Sequence, residues 1–147
     1  MSNDLERVRK QIVEMHQFIT NWVSGKEPDP ESFDKKLLKF FSPQFMVVMP
    51  GGRGFGYEPF TGYMRTVHGE NPKFRIQIRN VQIRHRVGDV VVAMYEEWEK
   101  DAKDSTPSNN GRQSSMVLRD RGEDFEVLHL QETWLPADVM AAGPYDF

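Results

Sequence analysis

The sequence contains no cysteine, which excludes disulfides, thiol nucleophiles and cysteine-held zinc. It has no long apolar run. The longest, Val90–Tyr95, is far short of the roughly 18 residues that a membrane-spanning helix needs. Basic residues are not in excess, and a net charge of -3 argues against nucleic acid, whose phosphates call for a basic face. Glycine and proline, 11 and 9 residues, are too few for a low-complexity chain. The opening Met1-Ser2-Asn3-Asp4-Leu5-Glu6 is acidic, so no secretory leader is expected, and the cytoplasm is the default compartment. What is present is 147 residues, 38% hydrophobic and 28% charged, which fits one globular domain over 1–147.

Helical signals come first. Leu5, Val8, Ile12, Met15, Ile19 and Trp22 recur at intervals of three and four, predicting an amphipathic helix over 4–24. Asn3 and Glu6 form a candidate cap, and Gly25, Pro28 and Pro30 supply the stop. A second helix is expected over 30–41, and a third over 57–67 with Phe60, Tyr63, Met64 and Val67 on its apolar side. Between them Phe45–Met49 reads as a buried strand, followed by the glycine-rich loop Gly51–Gly56, a candidate lid. That loop matches neither GxGxxG nor GxxxxGK[ST], so no nucleotide motif is present.

After Pro72 the period changes to two. Apolar residues fall at even positions in Phe74–Arg79 and at odd positions in Val81–Val87. This change of phase requires an extra residue near Asn80, a β-bulge in a long bent strand. Gly88-Asp89 closes a two-residue hairpin with Val87 opposite Val90. On that register Val81, Ile83, His85 and Val87 share an inner face with Val90, Val92, Met94 and Glu96, and Ile78 faces Trp98. Arg79 then falls near Glu97 and Arg75 near Asp101, with Arg84 and Arg86 extending a salt-bridged outer row. Two further strands, about 112–119 and 124–134, put Arg112, Ser114, Met116, His129, Gln131 and Thr133 along one face. The opposite face, Val117, Leu128, Leu130 and Trp134 with Val91, Ala93 and Tyr95, is the expected homodimer interface, because helices cover only one side of a sheet that is apolar on both.

The order of these elements, and the tail Phe125-Glu126-Val127-Leu128-His129-Leu130-Gln131-Glu132-Thr133-Trp134, resemble the SnoaL-like branch of the nuclear transport factor 2-like superfamily. The closing strand of that group is an aromatic followed by a His-x-His-x-Ser pattern. His129 matches the first His, Gln131 stands where the second often lies, and Thr133 replaces the Ser. The resemblance implies an α+β, cystatin-like fold: a cone-shaped, strongly bent antiparallel sheet packed against N-terminal helices. Its members include ketosteroid isomerases, dehydratases, polyketide cyclases and a kinase association domain, and fold alone does not choose among them.

The residues then suggest a mostly apolar pocket for a small organic ligand. Glu96, between Met94 and Trp98, is a candidate acid or base if partly desolvated, and otherwise a solvated carboxylate at the pocket mouth. His129 is its candidate partner in proton transfer, or else a structural histidine. Tyr57, Tyr63, Trp98, Ser114, Met116, Gln131 and Thr133 are the candidate lining residues. Arg112 meets an anionic ligand or sits solvated at a strand edge. His16, His68 and His85 have no HExxH or paired spacing, so no metal is expected. An enzyme on this scaffold would be a cofactor-independent isomerase, dehydratase or cyclase. The other readings are a binding protein and a dimeric association module.

Overall fold

The computed structural model describes residues 2–147. Helix α1 (Ser2–Ser24) buries Val8, Ile12, Met15 and Trp22 on one stripe, as the spacing requires. It starts at Ser2, so Asn3 lies inside its first turn rather than capping it. Gly25, at φ +87, ends it. The expected second helix is divided: α2 is Ser32–Lys36, a 3-10 turn follows at Leu38–Phe40, and Phe41 already opens strand β1 (Phe41–Val48). Pro43 explains the early exit, since the residue before a proline is pushed to extended backbone.

Strand β2 (Gly54–Gly56) folds back antiparallel on β1, and α3 (Tyr57–Thr66) follows. Then come β3 (Arg75–Val87), β4 (Val90–Lys100), β5 (Asn110–Asp120), β6 (Phe125–Trp134) and a short α4 (Ala137–Ala142). The six strands lie in the order β2-β1-β6-β5-β4-β3. All neighbours are antiparallel except β1 and β6, which run parallel. The sheet is bent and left open, with β2 and β3 as its edges.

The hairpin turn and the first bulge stand where the sequence put them. Val87 pairs with Val90, and the β3 register shifts between Arg79 and Gln82, with Asn80 at φ 55. A second shift, between Ile83 and His85, reverses the face assignment. Val81 and Ile83 stay inside, while His85 and Val87 turn outward opposite Val92 and Val90. The inner face of β4 is therefore Val91, Ala93, Tyr95, Glu97 and Glu99, all buried. Val90, Val92, Met94 and Glu96 are outside, a correction to the expected phase. The extra residue also moves each cross-strand pair by one, so Arg79 meets Glu96, Arg75 meets Lys100, and Trp98 pairs with Gln77. Arg86 leaves the outer row to pair with Asp4 and Asp120, each at 3.1 Å.

A third irregularity, between Val117 and Leu118, does the same to β6. Leu118 pairs with Val127 but Val117 pairs with His129, leaving Leu128 unpaired. His129, Gln131 and Thr133 thereby join the outer face, while Leu130, Glu132 and Trp134 turn inward beside Met116, Ser114 and Arg112. The expected dimer face thus exchanges members: Val91, Ala93, Tyr95, Leu130 and Trp134 leave it. Val92, Met94, Val117 and Leu128, all half-buried, are among its apolar residues. The C-terminal segment covers one end of this face. Tyr145 packs edge-on against Trp98 at 5.6 Å, and a Cβ on Gly111 would meet Trp98 at 2.8 Å and Leu135 at 2.9 Å.

Candidate functional site

Between α1, α3 and the inner face of the sheet lies a cavity of about 410 Å³, within the range of small-molecule sites. Its walls are apolar: Met15, Ile19, Phe41, Phe60, Met64 and Phe74 are among them. Phe41, Phe45 and Phe60 pack in mutual contact with ring centroids 4.7 to 5.5 Å apart. At the mouth, Glu70, Lys103 and Asp104 border the opening, and the Tyr63 hydroxyl donates to Asp104 at 3.4 Å. At the opposite end the apolar wall gives way to His16, Glu97, Glu99, Arg112 and Glu132, all buried.

These five are tightly connected. His16 Nδ1 lies 2.7 Å from the Ile12 carbonyl, four residues back on α1. A carbonyl only accepts, so Nδ1 carries the hydrogen. His16 Nε2 faces Glu97 at 3.1 Å, and one proton must lie between them, on the imidazole or on the carboxyl. Burial alone would push the imidazole down, but Glu97 overrides it and holds His16 above its ordinary value. Burial would likewise raise Glu97, yet His16, a hydrogen bond from Glu99 and the charge of Arg112 hold it low. The proton therefore rests on His16.

Arg112 bridges the remaining carboxyls, reaching Glu132 at 3.1 Å and Glu99 at 3.2 Å, with Asn110 accepting a further bond at 3.1 Å. Burial and the neighbouring Glu97 push Glu99 well above the carboxylate range. Burial, then Glu97, raises Glu132 from 4.5 to about 7, against the pull of Arg112. The Tyr95 hydroxyl sits in the same cluster beside Ser114, fully buried and without a partner in hydrogen-bond geometry among the described residues. The arrangement holds one carboxyl, Glu132, near its transition at neutral pH, the condition for moving or donating a proton.

A pH dependence follows. A carboxyl whose pKa is raised on folding contributes stability that is complete below its unfolded value and is lost as pH rises through the folded one. For Glu132 that window runs from about 4.5 to about 7, and Glu99 acts in the same direction. Urea denaturation should therefore show Glu132→Gln gaining stability relative to the parent as pH rises across this window. A pH-independent difference would contradict the buried, raised carboxyl.

Of the residues expected from sequence, Met116 lines the cavity, Tyr63 stands at its mouth and Arg112 lies at its floor. Arg112 is 4% exposed, not solvated at an edge. Ser114 is inward and reaches Glu132 at 3.5 Å. Tyr57 packs on the core at the start of α3 without lining the cavity. Phe55, from the glycine-rich loop, forms part of the wall, while Gly54–Gly56 is strand rather than free loop.

Glu96, Trp98, His129, Gln131 and Thr133 are on the outer face, a correction to the expected pocket. Glu96 there accepts hydrogen bonds from Asn80 at 2.6 Å and Trp98 at 2.9 Å. Glu96 stands level with Thr133 across the β5 residue Gln113. His129 is therefore offset from it by ~13 Å along the strand and ~10 Å across, too far to share a small substrate. His85 is exposed on the outer face, and His68 stacks on Trp22. Among the described residues no group of three His, Cys, Asp or Glu is placed to hold a metal.

Residues 31–137 match the family model of the SnoaL-like domain. No curated protein matches the chain. Among solved structures, an NTF-2-like protein of unknown function from Pseudomonas aeruginosa is 26% identical, with a TM-score of 0.78 over 88% of this chain and 99% of that one. An uncharacterised protein with a cystatin-like fold from Caulobacter vibrioides is 11% identical, with a TM-score of 0.66 over 95% and 94%. The association domain of C. elegans CaMKII is 12% identical, with a TM-score of 0.60 over 89% and 98%. The last two likenesses show a shared fold and nothing further.

Proposed function

The chain belongs to the SnoaL-like domain family, and on that premise we propose that it is a homodimer binding a small, mostly apolar organic molecule in the cavity. The observation that carries this reading is the cavity itself: about 410 Å³ of apolar wall ending in a few convergent polar groups, the usual form of a small-molecule site. A domain serving only for association needs no such volume, and a filled cone would be more stable. The dimer is supported by the outer sheet face, where Val92, Met94, Val117 and Leu128 stand half-buried and Val92 pairs with Val117. Native mass spectrometry tests both parts. The expected result is a dimer carrying extra mass or taking up an added apolar compound. A monomer, or a dimer indifferent to every compound offered, would overturn the corresponding part. Leu128→Glu should yield a monomer by placing a charge in the interface, and an unchanged dimer mass would remove the outer face from consideration.

A second reading, an isomerase, dehydratase or cyclase, is favoured by one observation: Glu132, raised to about 7, faces the cavity beside the His16–Glu97 pair. The geometry supports Glu132 as acid or base, in place of the separated Glu96 and His129. Recovery of a bound compound and its conversion by fresh protein would support this reading. Conversion that persists in Glu132→Gln would count against Glu132.

A further inference from the structure

The ionisable groups of the cavity do not balance. Its floor carries Glu97, Glu99 and Glu132, and its mouth adds Glu70 and Asp104. Against these stand Arg112, Lys103 and His16. Lys103 does not offset the floor, because its ammonium donates to the backbone carbonyl of Glu70 at 2.8 Å. Within the floor, His16 answers Glu97 at 3.1 Å, and Arg112 is divided between Glu99 and Glu132. One carboxyl is left without a cation of its own. The Tyr95 hydroxyl, 0% exposed, meets hydrogen-bond geometry with no partner among the described residues, although it lies among Ser114, Glu97, Glu132 and Arg112. In a dry site a surplus carboxyl either keeps its proton or acquires a cation.

We propose that the cavity takes an amphipathic primary amine, its apolar body against Phe41, Phe60 and Phe74 and its ammonium among Glu97, Glu99 and Glu132. This inference rests on the ligand-binding reading and names the chemistry of the ligand. An anionic head would meet three carboxyls, with Arg112 already committed to two of them. A neutral alcohol would leave the surplus carboxyl protonated and would gain no charge-assisted hydrogen bond from it. An ammonium brings three donors and no acceptor, which suits a floor rich in carboxyl oxygens, and its hydrogen bonds there are charge-assisted. The free Tyr95 hydroxyl can then donate to whichever carboxyl ionises.

Proton balance fixes the signature. The amine is already an ammonium in water near neutral pH. On binding, the surplus carboxyl gives its proton to solvent, so one proton is released per amine bound. Affinity therefore rises with pH until that carboxyl is ionised in the free protein. The groups facing it are His16 from α1, Tyr95 and Glu97 from β4, Arg112 from β5 and the partner carboxyl, Glu99 or Glu132.

The test compares octylamine, octanol and octanoate by isothermal titration calorimetry in two buffers of different ionisation enthalpy. Octylamine should bind about tenfold or more tightly than octanoate, with proton release that octanol does not show. Glu99→Gln should bring octylamine down to about the affinity of octanol. Glu132→Gln serves as a second variant should the first fail to fold. Octanoate binding as tightly as octylamine, or octylamine binding without proton release, would overturn the inference while leaving the ligand-binding reading intact. If none of the three binds, that reading falls and this one with it.

Discussion

Arg112→Met should lower the free energy of unfolding by about 3–5 kcal/mol near pH 8, the largest effect expected of any substitution in the polar floor. Arg112 is 4% exposed and holds two buried carboxyls, at 3.1 Å and 3.2 Å. Methionine keeps an unbranched chain of similar reach but removes the permanent cation that bridges Glu99 and Glu132. Each carboxyl must then stay protonated or carry an uncompensated charge in a dry site, and both alternatives cost free energy that the unfolded chain does not incur. A loss of this size corresponds to a fall in Tm of about 10 °C for a chain of this length.

The sign of the pH dependence makes this prediction specific. Without Arg112, Glu99 and Glu132 rise further above their ordinary value, so the folded variant binds more protons than the parent over a wider window. Stability held by protonated carboxyls is lost as pH rises. The penalty of Arg112→Met should therefore be smaller near pH 5 than near pH 8. Urea denaturation at the two pH values checks this, and an equal loss at both would show that Arg112 acts through packing alone. Adding Glu99→Gln and Glu132→Gln to Arg112→Met should recover much of the loss, because replacing a whole buried ionic set costs less than breaking it.

The same cluster shows how far the sequence can be read. Helix α1, the Gly88-Asp89 turn and the bulge at Asn80 were legible because each leaves a mark in the apolar pattern. Phe74–Arg79 and Val81–Val87 plainly have opposite phases. The second bulge leaves no such mark: it falls at Arg84, between Ile83 and His85, and the polar run Arg84-His85-Arg86 does not reveal the phase. Strand β4 is apolar on both faces from Val90 to Tyr95, so its own pattern does not say which face is inner. The third bulge is hidden in Val127-Leu128, two apolar neighbours. A slip of one residue exchanges the faces of a strand. That is why Glu96 and His129 were expected in the pocket while Glu97 and Glu132 occupy it. Arg112, Ser114 and Met116 share the inner face, as expected, because β5 alternates cleanly between them. His16 carries no local signal at all, since its partner Glu97 lies far along the chain. The family resemblance, drawn from the element order and a short closing-strand motif, survived these slips because element order does not depend on strand parity.

Trp22→Ala should cost about 3–5 kcal/mol and abolish the proposed ligand uptake, although the indole does not line the cavity. Trp22 is 2% exposed and stacks on His68 at 3.5 Å, on Phe33 at 5.0 Å and on Phe18 at 6.0 Å. Its indole N–H donates to the Met64 carbonyl at 2.7 Å. The backbone continues the connection: Gly69 N–H donates to the Trp22 carbonyl at 2.9 Å, and Asn71 N–H to the Val23 carbonyl at 3.0 Å. The C-terminal turn of α1 thus fastens α3 and the segment after it, and Val23, Met64, Val67 and Asn71 all line the cavity. Removing the indole takes away the packing between α1 and that wall, and the loss falls on binding as well as on stability. Trp22→Phe separates the two contributions. A phenyl ring keeps most of the stacking and loses the hydrogen bond, which is worth about 1 kcal/mol net. Urea denaturation and octanol titration of both variants decide the matter. If packing holds the wall, Trp22→Phe binds octanol nearly as the parent does and loses only a fraction of the stability that Trp22→Ala loses. Equal losses in the two variants would instead make the single bond to Met64 the fastening of α3.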